Sequence, residues 1–455
     1  KHLPGTAKGS CLVSRAIPYA VMPDNKILGT TRSESAKKIA DTVNTLRNRQ
    51  NDDGSFALWS GGTTTRDNRF DSDTAYLTAY VAQFLTIARD AGFTVPTQML
   101  SRAVDFLRTF AGGNIIDAEY ARAAAYAIYV ISENGYVTTS YIDALTQYAD
   151  ENIKNWREKL TGAYIAAAYK ILKQDDLARD LISEYSTSRN TRFEYSAMFD
   201  NNVANDAMYY YLTNKLFTSQ NPTESDVLRE YVKSGTFDAY TSAVVIMALA
   251  GDSTAAVKTG DITVTTNSQI VPVVTDSADG VTAKIPADAT KINITCAECN
   301  DATRMYYTLV QQGYPTESRA ATNGLDITRE YYNADGDRIT QANIGDIVTV
   351  RISARTRGGT DIAENIAITD LLPGGFIANA DSVTGTPEYF EVREDRVLIY
   401  ADLTREVTEF TYTVQVGASG TFAIPAISAE SMYNPQIRAT GHTGTFTVLN
   451  ETSER

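Results

Sequence analysis

Cysteine and histidine, on which most protein metal sites depend, are scarce in this chain of 455 residues. The three cysteines are Cys11, Cys296 and Cys299, and the two histidines are His2 and His442. Cys296 and Cys299 have CxxC spacing, but a closed zinc site needs two further ligands. No second CxxC pair exists in the sequence. The composition therefore argues against a structural zinc site, and we expect no metal and no cofactor.

The chain also lacks a basic excess and any long apolar run. Its formal net charge is −14 and its pI is about 4.8, whereas nucleic-acid binding needs a basic face, so we expect no nucleic-acid partner. No apolar run reaches the length of about 18 residues that a membrane-spanning helix needs. The chain opens at Lys1 without a signal-peptide pattern. We expect a fragment, with any targeting signal or lipid anchor upstream.

The CxxC pair follows an alternating run at 291–295, which is typical of a strand. A redox-active CxxC normally opens a helix instead. We therefore favour a small structural disulfide between Cys296 and Cys299, formed in an oxidising compartment. Two reduced thiols at the end of a strand are the alternative.

Helical periodicity dominates the first half of the chain. Apolar residues at three- and four-residue spacing predict a helix at 76–88, capped by Asp73 or Thr74 and ended by Gly92 and Pro96. Similar patterns predict helices at 97–110, 118–132, 140–152, 160–172, 175–183, 202–217 and 241–250. Many are apolar on a wide face and rich in Ala and Tyr, which suits a layered ring or solenoid of helix pairs.

The second half is rich in Thr, Val and Ile in short alternating runs. These predict strands at 261–266, 289–295, 306–311, 347–354, 362–370, 396–402, 410–416 and 420–426. Turn signals such as Asp335-Gly336 separate them. The pattern indicates one or two β-sandwich domains. We place domain boundaries near residues 255 and 318.

Seven segments resemble, in the correct order, the C-terminal part of bacterial alpha-2-macroglobulins. The first two resemble a loop and the helix after it in the thioester-containing domain of that family, and the other five resemble its C-terminal macroglobulin domain. They are Asn51-Asp-Asp-Gly-Ser-Phe-Ala-Leu-Trp-Ser-Gly-Gly62, Asp73-Thr-Ala-Tyr-Leu-Thr-Ala-Tyr-Val-Ala-Gln-Phe-Leu85, Ile327-Thr-Arg-Glu-Tyr-Tyr332, Val348-Thr-Val-Arg351, Asp370-Leu-Leu-Pro-Gly-Gly-Phe376, Arg393-Glu-Asp-Arg396 and Ala429-Glu-Ser-Met-Tyr-Asn-Pro435.

This resemblance implies a multidomain protein, α then β. Residues 1–255 would form an α/α toroid like the thioester domain. Residues 256–318 would form the second half of a CUB-like β-sandwich whose other half lies upstream. Residues 319–455 would form a C-terminal macroglobulin-like antiparallel β-sandwich.

The reactive residues of the family's thioester motif, Pro-Tyr-Gly-Cys-x-Glu-Gln-Thr-x-Ser-Arg-Ala, are missing. If Ser14-Arg15-Ala16 is aligned on Ser-Arg-Ala, then Lys8, Ser10 and Cys11 fall on the Cys, Glu and Gln positions. If Cys11 is aligned on the family Cys instead, Val13 and Ser14 fall on Glu and Gln. Neither register supplies an acyl donor, so we expect no thioester.

Cys11 and Lys8 each allow a functional and a structural interpretation. Cys11 could be a reactive nucleophile or a partner in an intermolecular disulfide, but we favour a small buried residue under the first helix. Lys8 could be a catalytic amine, but we favour a solvated side chain. No histidine lies between His2 and His442, so the histidine that speeds acyl transfer in some thioester proteins is absent as well.

The resemblance implies a protease inhibitor and not an enzyme. Members of the family present a bait region to endopeptidases, and its cleavage releases a rearrangement that encloses the protease. Without a thioester, capture would be noncovalent and steric. The partners would be endopeptidases and the upstream macroglobulin domains of the same chain. Membrane contact would occur only through an anchor outside this fragment, and the location would be the periplasm.

Two other functions compete with the trap. One is a cell-envelope adhesion or scaffolding module that binds periplasmic partners. Tyr209–Tyr211 and Tyr331–Tyr332 could form surface patches for it, but we favour core or toroid-lining positions for these tyrosines. The other is an α/α toroid enzyme such as a terpene cyclase, which needs an Asp-x-Asp-Asp cluster. Asp71-Ser-Asp-Thr74 lacks the final acid, so we disfavour that enzyme.

Overall fold

A computed structural model describes residues 9–24, 30–58, 71–188, 190, 192–217, 226–234, 237–250, 262–267, 269–277, 280–296, 309, 320–359 and 361–450. The helices within these residues are α1 (Gly9–Val21), α2 (Arg32–Arg47), α3 (Ser72–Asp90), α4 (Thr97–Ala111), α5 (Ala118–Glu133), α6 (Thr139–Asn152), α7 (Leu160–Ile171), α8 (Asp175–Ser183), α9 (Asn202–Leu216), α10 (Asp226–Ser234) and α11 (Ala239–Ala250). None of these described helices is long and apolar enough to cross a membrane.

The helices form a closed double ring. Helices α1, α3, α5, α7, α9 and α11 pack in that order, and α11 returns to α1. The even-numbered helices pack outside them, α2 on α1, α4 between α3 and α5, α6 on α5, α8 on α7 and α10 on α9. This arrangement is an α/α toroid, as predicted.

Burial explains which helices lie inside. In α3, every residue from Thr74 to Thr86 is buried, so this helix is covered on all sides. The outer helix α4 buries only one face, through Met99, Leu100, Ala103 and their neighbours. A helix apolar all round requires neighbours on every side, whereas an amphipathic helix suits the outer layer.

Tyrosines fill the centre of the toroid. The Tyr76 hydroxyl lies 3.1 Å from that of Tyr164 and 3.0 Å from that of Tyr240. The rings of Tyr126 and Tyr164 stack with centroids 4.5 Å apart. Burial raises the pKa of Tyr126, Tyr164 and Tyr240. The hydrogen bonds of Tyr76 with Tyr164 and Tyr240, that of Tyr126 with Gln83, and the stacked rings make the centre a packed core.

The strands of the described residues are β1 (Tyr195–Ala197), β2 (Asp200–Asn201), β3 (Ile262–Thr266), β4 (Gln269–Val271), β5 (Val273–Ser277), β6 (Gly280–Ala283), β7 (Ile292–Cys296), β8 (Ala321–Asn323), β9 (Leu325–Tyr332), β10 (Gln341–Asn343), β11 (Ile347–Thr356), β12 (Ile362–Leu371), β13 (Phe376–Ala378), β14 (Tyr389–Val392), β15 (Arg396–Thr404), β16 (Thr408–Val416), β17 (Gly420–Ile424), β18 (Ser428–Ser431), β19 (Arg438–Thr440) and β20 (Gly444–Leu449). Strands β1 and β2 form a small hairpin between α8 and α9.

Strands β8 to β20 form a sandwich. One sheet has the order β14-β15-β12-β18-β19-β8, another has the order β13-β16-β11-β9, and a smaller one has the order β10-β20-β17. Alternate residues of β11, such as Val348, Val350 and Ile352, are buried in the shared core. Strand β3 pairs with β4 and β7 in a separate three-stranded sheet, and β5 pairs with β6.

Most predicted helices and strands are confirmed, but the cap of α3 differs and several elements were not predicted. The strands that were not predicted are β1, β2, β4, β5, β6, β8, β10, β13, β14, β18, β19 and β20. The helix predicted at 76–88 extends over α3, and Asp71, not Asp73 or Thr74, caps it by accepting the Asp73 N–H at 3.2 Å. Helices α1, α2 and α10 were not predicted, because α1 contains Pro18, α2 has few buried apolar residues and α10 is only nine residues long. The strand predicted at 306–311 and the boundaries near 255 and 318 lie largely outside the described residues.

The tyrosine runs do not form surface patches. Tyr210, Tyr211 and Tyr331 are buried in the cores of the toroid and the sandwich. The core position that we favoured is therefore confirmed for these three side chains, and the patch interpretation, which the adhesion hypothesis needs, is wrong for them. Their rings contribute to packing instead.

Candidate functional site

Helix α1 places Ser10 and Cys11 inside the protein. Ser10 is 1% exposed and Cys11 is 9% exposed. The Gly9 N–H donates to the Leu58 carbonyl at 2.8 Å, and a Cβ on Gly9 would lie 3.0 Å from the Ala57 carbonyl oxygen. The start of α1 is therefore pressed against the segment that ends at Leu58. Cys11 lies within α1, whereas we expected it under the first helix.

A side chain of the C-terminal sandwich reaches this position. The Tyr433 hydroxyl lies 2.7 Å from Ser10 Oγ. Tyr433 is 3% exposed and belongs to the core of the toroid, although its backbone belongs to the sandwich. Its ring meets that of Phe199 edge-on, with centroids 5.6 Å apart. One residue of the sandwich is thus built into the core of the other domain.

The turn that carries Tyr433, residues 431–434, is held by a bulge in β12. Met432 N–H donates to the Asn365 carbonyl at 3.1 Å, and Ser431 Oγ donates to the Glu364 carbonyl at 3.3 Å. Asn365 has a φ of 59° at the place where the β12–β15 register shifts. The bulge re-aims the backbone locally. We call residues 431–434 the Tyr433 turn.

An apolar contact surrounds the turn. Ala367, Leu398 and Tyr400 of the six-stranded sheet pack with Leu58 of the toroid and Met432. We call this contact between toroid and sandwich the seam. Because these apolar side chains are removed from water, the seam stabilises the contact between the two domains.

Arg49 is buried next to the seam. It is 3% exposed, and its Nη1 donates to the Leu58 carbonyl at 2.9 Å. Burial lowers the pKa of Arg49, while the nearby Tyr389, Cys11 and Tyr400 act in the opposite direction. The guanidinium thus holds the Leu58 backbone at the point where the sandwich contacts it.

The loop at 51–58 has a fixed shape. The Ser55 N–H donates to Asp53 Oδ1 at 3.0 Å, and the Phe56 N–H donates to Thr78 Oγ1 at 3.0 Å. Arg102 Nη2 donates to the Asn51 carbonyl at 2.8 Å. These bonds tie the loop to α3 and α4, so Leu58 is positioned by the ring itself.

An acidic group near the seam has a strongly shifted pKa. Burial raises the pKa of Asp73 to about 7, with further increases from Asp71, Glu119 and, across the seam, Glu364. Arg122 opposes them. Arg122 lies over the Tyr76 ring at 4.5 Å and donates to the Phe199 carbonyl at 2.9 Å. Carboxyl groups of both domains therefore influence the charge at this position.

The polar groups around Ser10 and Cys11 can form hydrogen bonds. The hydroxyl of Tyr80 lies 2.9 Å from Ser14 Oγ, and burial raises the pKa of Tyr80 and Tyr433 well above their ordinary value. Neutral phenols donate and accept hydrogen bonds but are poor bases at neutral pH. Within the described residues, no group of three or more His, Cys, Asp or Glu side chains could hold a metal.

Of the predicted site residues, Ser10 contacts the sandwich through Tyr433, and its sequence neighbour Cys11 is buried in the same helix. Lys8 and Cys299 lie outside the described residues, so the place of Lys8 and the disulfide between Cys296 and Cys299 stay predictions. Cys296 ends strand β7. Sequence reasoning missed Arg49 and the role of Tyr433, although Tyr433 lies in a segment that carried the family resemblance.

Comparison with known proteins gives matches along the chain. A family model described as the Bacterial Alpha-2-macroglobulin MG10 domain matches residues 324–436. The alpha-2-macroglobulin of Rickettsia conorii is 27% identical, over 93% of this chain and 23% of that protein. The alpha-2-macroglobulin homolog of Yersinia pestis is 26% identical, over 94% of this chain and 23% of that protein. The chain spans about a quarter of the length of these curated relatives.

Solved structures share the fold. Native alpha-2-macroglobulin from Escherichia coli, from domain MG7 to the C-terminus, matches with a TM-score of 0.74 at 17% identity, over 98% of this chain and 73% of that one. Salmonella alpha-2-macroglobulin reacted with methylamine matches with a TM-score of 0.74 at 19% identity, over 96% of this chain and 29% of that one. The family model over residues 324–436, the similarity in sequence and the shared fold together support a C-terminal fragment of a bacterial alpha-2-macroglobulin.

Proposed function

We propose that this chain is the C-terminal part of a broad-spectrum endopeptidase inhibitor that traps its target by noncovalent steric enclosure after cleavage of an upstream bait region. The observation that carries the proposal is the hydrogen bond between Ser10 and Tyr433 at 2.7 Å. Ser10 lies in the segment of this sequence that aligns with the thioester motif of the family. Either alignment register leaves that motif without an acyl donor.

In this proposal the seam is the element that changes on cleavage. The Tyr433 turn and the apolar contact at Leu58 hold toroid and sandwich together. Strain released by bait cleavage would separate them and let the toroid move as a wall of the trap. Such a change requires a free-energy difference between two arrangements, which cleavage of the chain would supply. No turnover is part of this role, so the protein is not an enzyme.

The partners follow from the same proposal. They are endopeptidases and the upstream macroglobulin domains of the same protein. The location would be the periplasm, with any membrane attachment through an anchor outside this chain. The predicted disulfide between Cys296 and Cys299 would suit that oxidising compartment.

The test uses the full-length protein with a broad-specificity protease. Residual protease activity is measured on a large protein substrate and on a small chromogenic peptide. Steric trapping predicts loss of activity on the large substrate only. Unchanged activity on both substrates would contradict the proposal.

Methylamine treatment tests the missing thioester separately. Attack on a thioester adds the amine to the acyl group, so the intact mass rises. We expect no such increase for this protein. The Salmonella alpha-2-macroglobulin, whose solved structure is of the methylamine-reacted protein, is the positive control. A mass increase here would show that an acyl donor exists.

A further inference from the structure

A cavity lies between the toroid and the sandwich, close to the Tyr433 turn. Its volume is about 570 Å³. The toroid contributes Arg192, Phe193, Tyr231 and Lys233, and the sandwich contributes Pro435 and Gln436. Small-ligand sites typically occupy about 300–1,000 Å³ and are frequent at domain interfaces. The size and the place of this cavity are those of a binding site.

The floor of the cavity is aromatic. The rings of Phe193 and Tyr231 lie nearly parallel, with centroids 6.3 Å apart and an interplanar angle of 27°. Phe237 meets the Tyr231 ring edge-on at 5.4 Å and is 53% exposed. The Tyr231 hydroxyl lies 3.2 Å from Ser242 Oγ on α11, so its polar end is already bonded within the toroid. Phe237 is not among the lining residues and Tyr231 is only 4% exposed, so the half-buried Phe193 offers most of the ring surface to an apolar group.

The charged residues that line the cavity are Arg192, Lys233 and Glu230, two positive and one negative, on a chain of net charge −14. Lys233 Nζ lies 2.8 Å from Glu230 Oε1, and this pair is exposed. Arg192 has no acidic partner among the ion pairs of the described residues, and its own backbone accepts from Asn202 at 2.7 Å, which fixes its position. One uncompensated guanidinium beside an ammonium group favours an anion, and a guanidinium can bind a carboxylate in two-point geometry.

We propose that this cavity binds the free C-terminus of a peptide whose last side chain is apolar. The side chain lies on Phe193 and Tyr231, and the carboxylate is held by Arg192 and Lys233. Any cleavage by an endopeptidase creates such an end, so the biological source of the ligand rests on the proposed function. The binding itself does not depend on it.

A peptide bound in the cavity should also stabilise the seam. Pro435 lies two positions after Tyr433, so a peptide in the cavity contacts both domains in their joined arrangement. A ligand that binds only the joined form stabilises it by mass action. The peptide is therefore expected to raise the unfolding temperature of the chain and to slow labelling of Cys11 at the seam.

The test measures binding of a fluorescently labelled Ala-Ala-Phe peptide to the 455-residue chain by anisotropy. The peptide with a free carboxylate is compared with the same peptide carrying a C-terminal amide. Removal of one charge-assisted contact costs roughly tenfold in affinity or more. We expect the amide, and also Arg192→Gln and Lys233→Gln with the acid, to bind at least about tenfold more weakly.

Arg179→Gln is the matched control, because Arg179 is an exposed arginine on α8 that pairs with Asp176. Its affinity for the acid should equal that of the wild type. Circular dichroism establishes that each variant is folded. Three results would each contradict the proposed site. They are equal affinity for the peptide acid and the peptide amide, an unchanged affinity of the Arg192→Gln variant for the acid, and no binding of the acid at about 1 mM. Protease inhibition by the full-length protein is measured in a separate experiment. A failure of peptide binding therefore does not contradict the proposed function, and a failure of protease inhibition does not contradict peptide binding.

Discussion

The hydroxyl oxygens of Tyr433 and Ser10 lie 2.7 Å apart and join two positions separated by 423 residues in sequence. Both side chains are almost fully buried. A buried hydroxyl that loses its hydrogen bonds to water must regain them inside the protein, and this contact supplies one such bond to each of the two groups. The polar contact therefore favours one particular docking of the sandwich on the toroid.

Removing only the hydroxyl of Tyr433 should weaken the seam modestly. In Tyr433→Phe the ring remains, but Ser10 loses the partner 2.7 Å away. We expect a loss of about 1–2 kcal/mol in the free energy of unfolding, measured by urea denaturation. Tyr332→Phe is the matched control, because the Tyr332 hydroxyl bonds to Glu330 in a more exposed place. Equal effects of the two changes would contradict the special role of Tyr433.

Removing the ring should expose Cys11. Tyr433 fills a buried place beside Phe199, and a Tyr→Ala change there leaves a cavity at a cost of about 3–5 kcal/mol. We expect Tyr433→Ala to accelerate alkylation of Cys11, followed by peptide mass mapping, at least about tenfold. If Cys11 labels at the wild-type rate while the variant remains folded, the seam does not protect it.

The sequence predicted five of the six ring helices, all but α1, and it did not predict the seam. Helix α3 was found because its apolar residues repeat and Gly92 follows it. The outer helix α2 has only Ser35, Ile39, Val43 and Leu46 buried among charged residues, so its periodicity is weak. The contact between Tyr433 and Ser10 leaves no local signal, because it depends on how two domains dock. The family resemblance marked both segments without indicating that they meet.

The pKa of Asp73 makes stability depend on pH. Burial, Asp71, Glu119 and Glu364 raise it to about 7, against Arg122. Between about pH 4 and pH 7 the folded state keeps a proton that the unfolded state releases, so this group makes stability fall as pH rises through that window. Above pH 7 its contribution is constant.

Asp73→Asn should remove this dependence. The amide cannot ionise, so we expect the variant to gain about 1–2 kcal/mol over the wild type between pH 5 and pH 8. Unfolding curves at both pH values measure the difference. Asp105→Asn on the exposed face of α4 is the control. Glu364→Gln should shift the Asp73 transition to lower pH, and an unchanged transition would show that the sandwich does not contribute to it.

The loop at 51–58 should depend on Gly54. Its φ is +93°, and a Cβ there would lie 2.1 Å from the Arg102 carbonyl oxygen. Gly336 has a similar φ of +85° but nothing within 4 Å of its Cβ position. Alanine at either position costs about 1–2 kcal/mol for the left-handed backbone. Because Gly54→Ala must also displace α4, we expect a further loss of about 2 kcal/mol or more. Equal destabilisation of the two variants would contradict this steric role.

Asp370 and Arg329 form an ion pair in the core of the sandwich, with side chains 1% and 3% exposed. The Tyr412 hydroxyl donates to Asp370 at 2.7 Å.

Asp370→Asn leaves the Arg329 charge buried without its counter-ion, so we expect a loss of about 3–5 kcal/mol in unfolding free energy. Tyr412→Phe removes one bond to the carboxylate and should cost about 1–3 kcal/mol. Asp326→Asn is the control, since Asp326 pairs with the exposed Arg355 and Arg357 and should cost less than about 1 kcal/mol. If Asp370→Asn is no more destabilising than this control, the stability of the core does not depend on the ion pair.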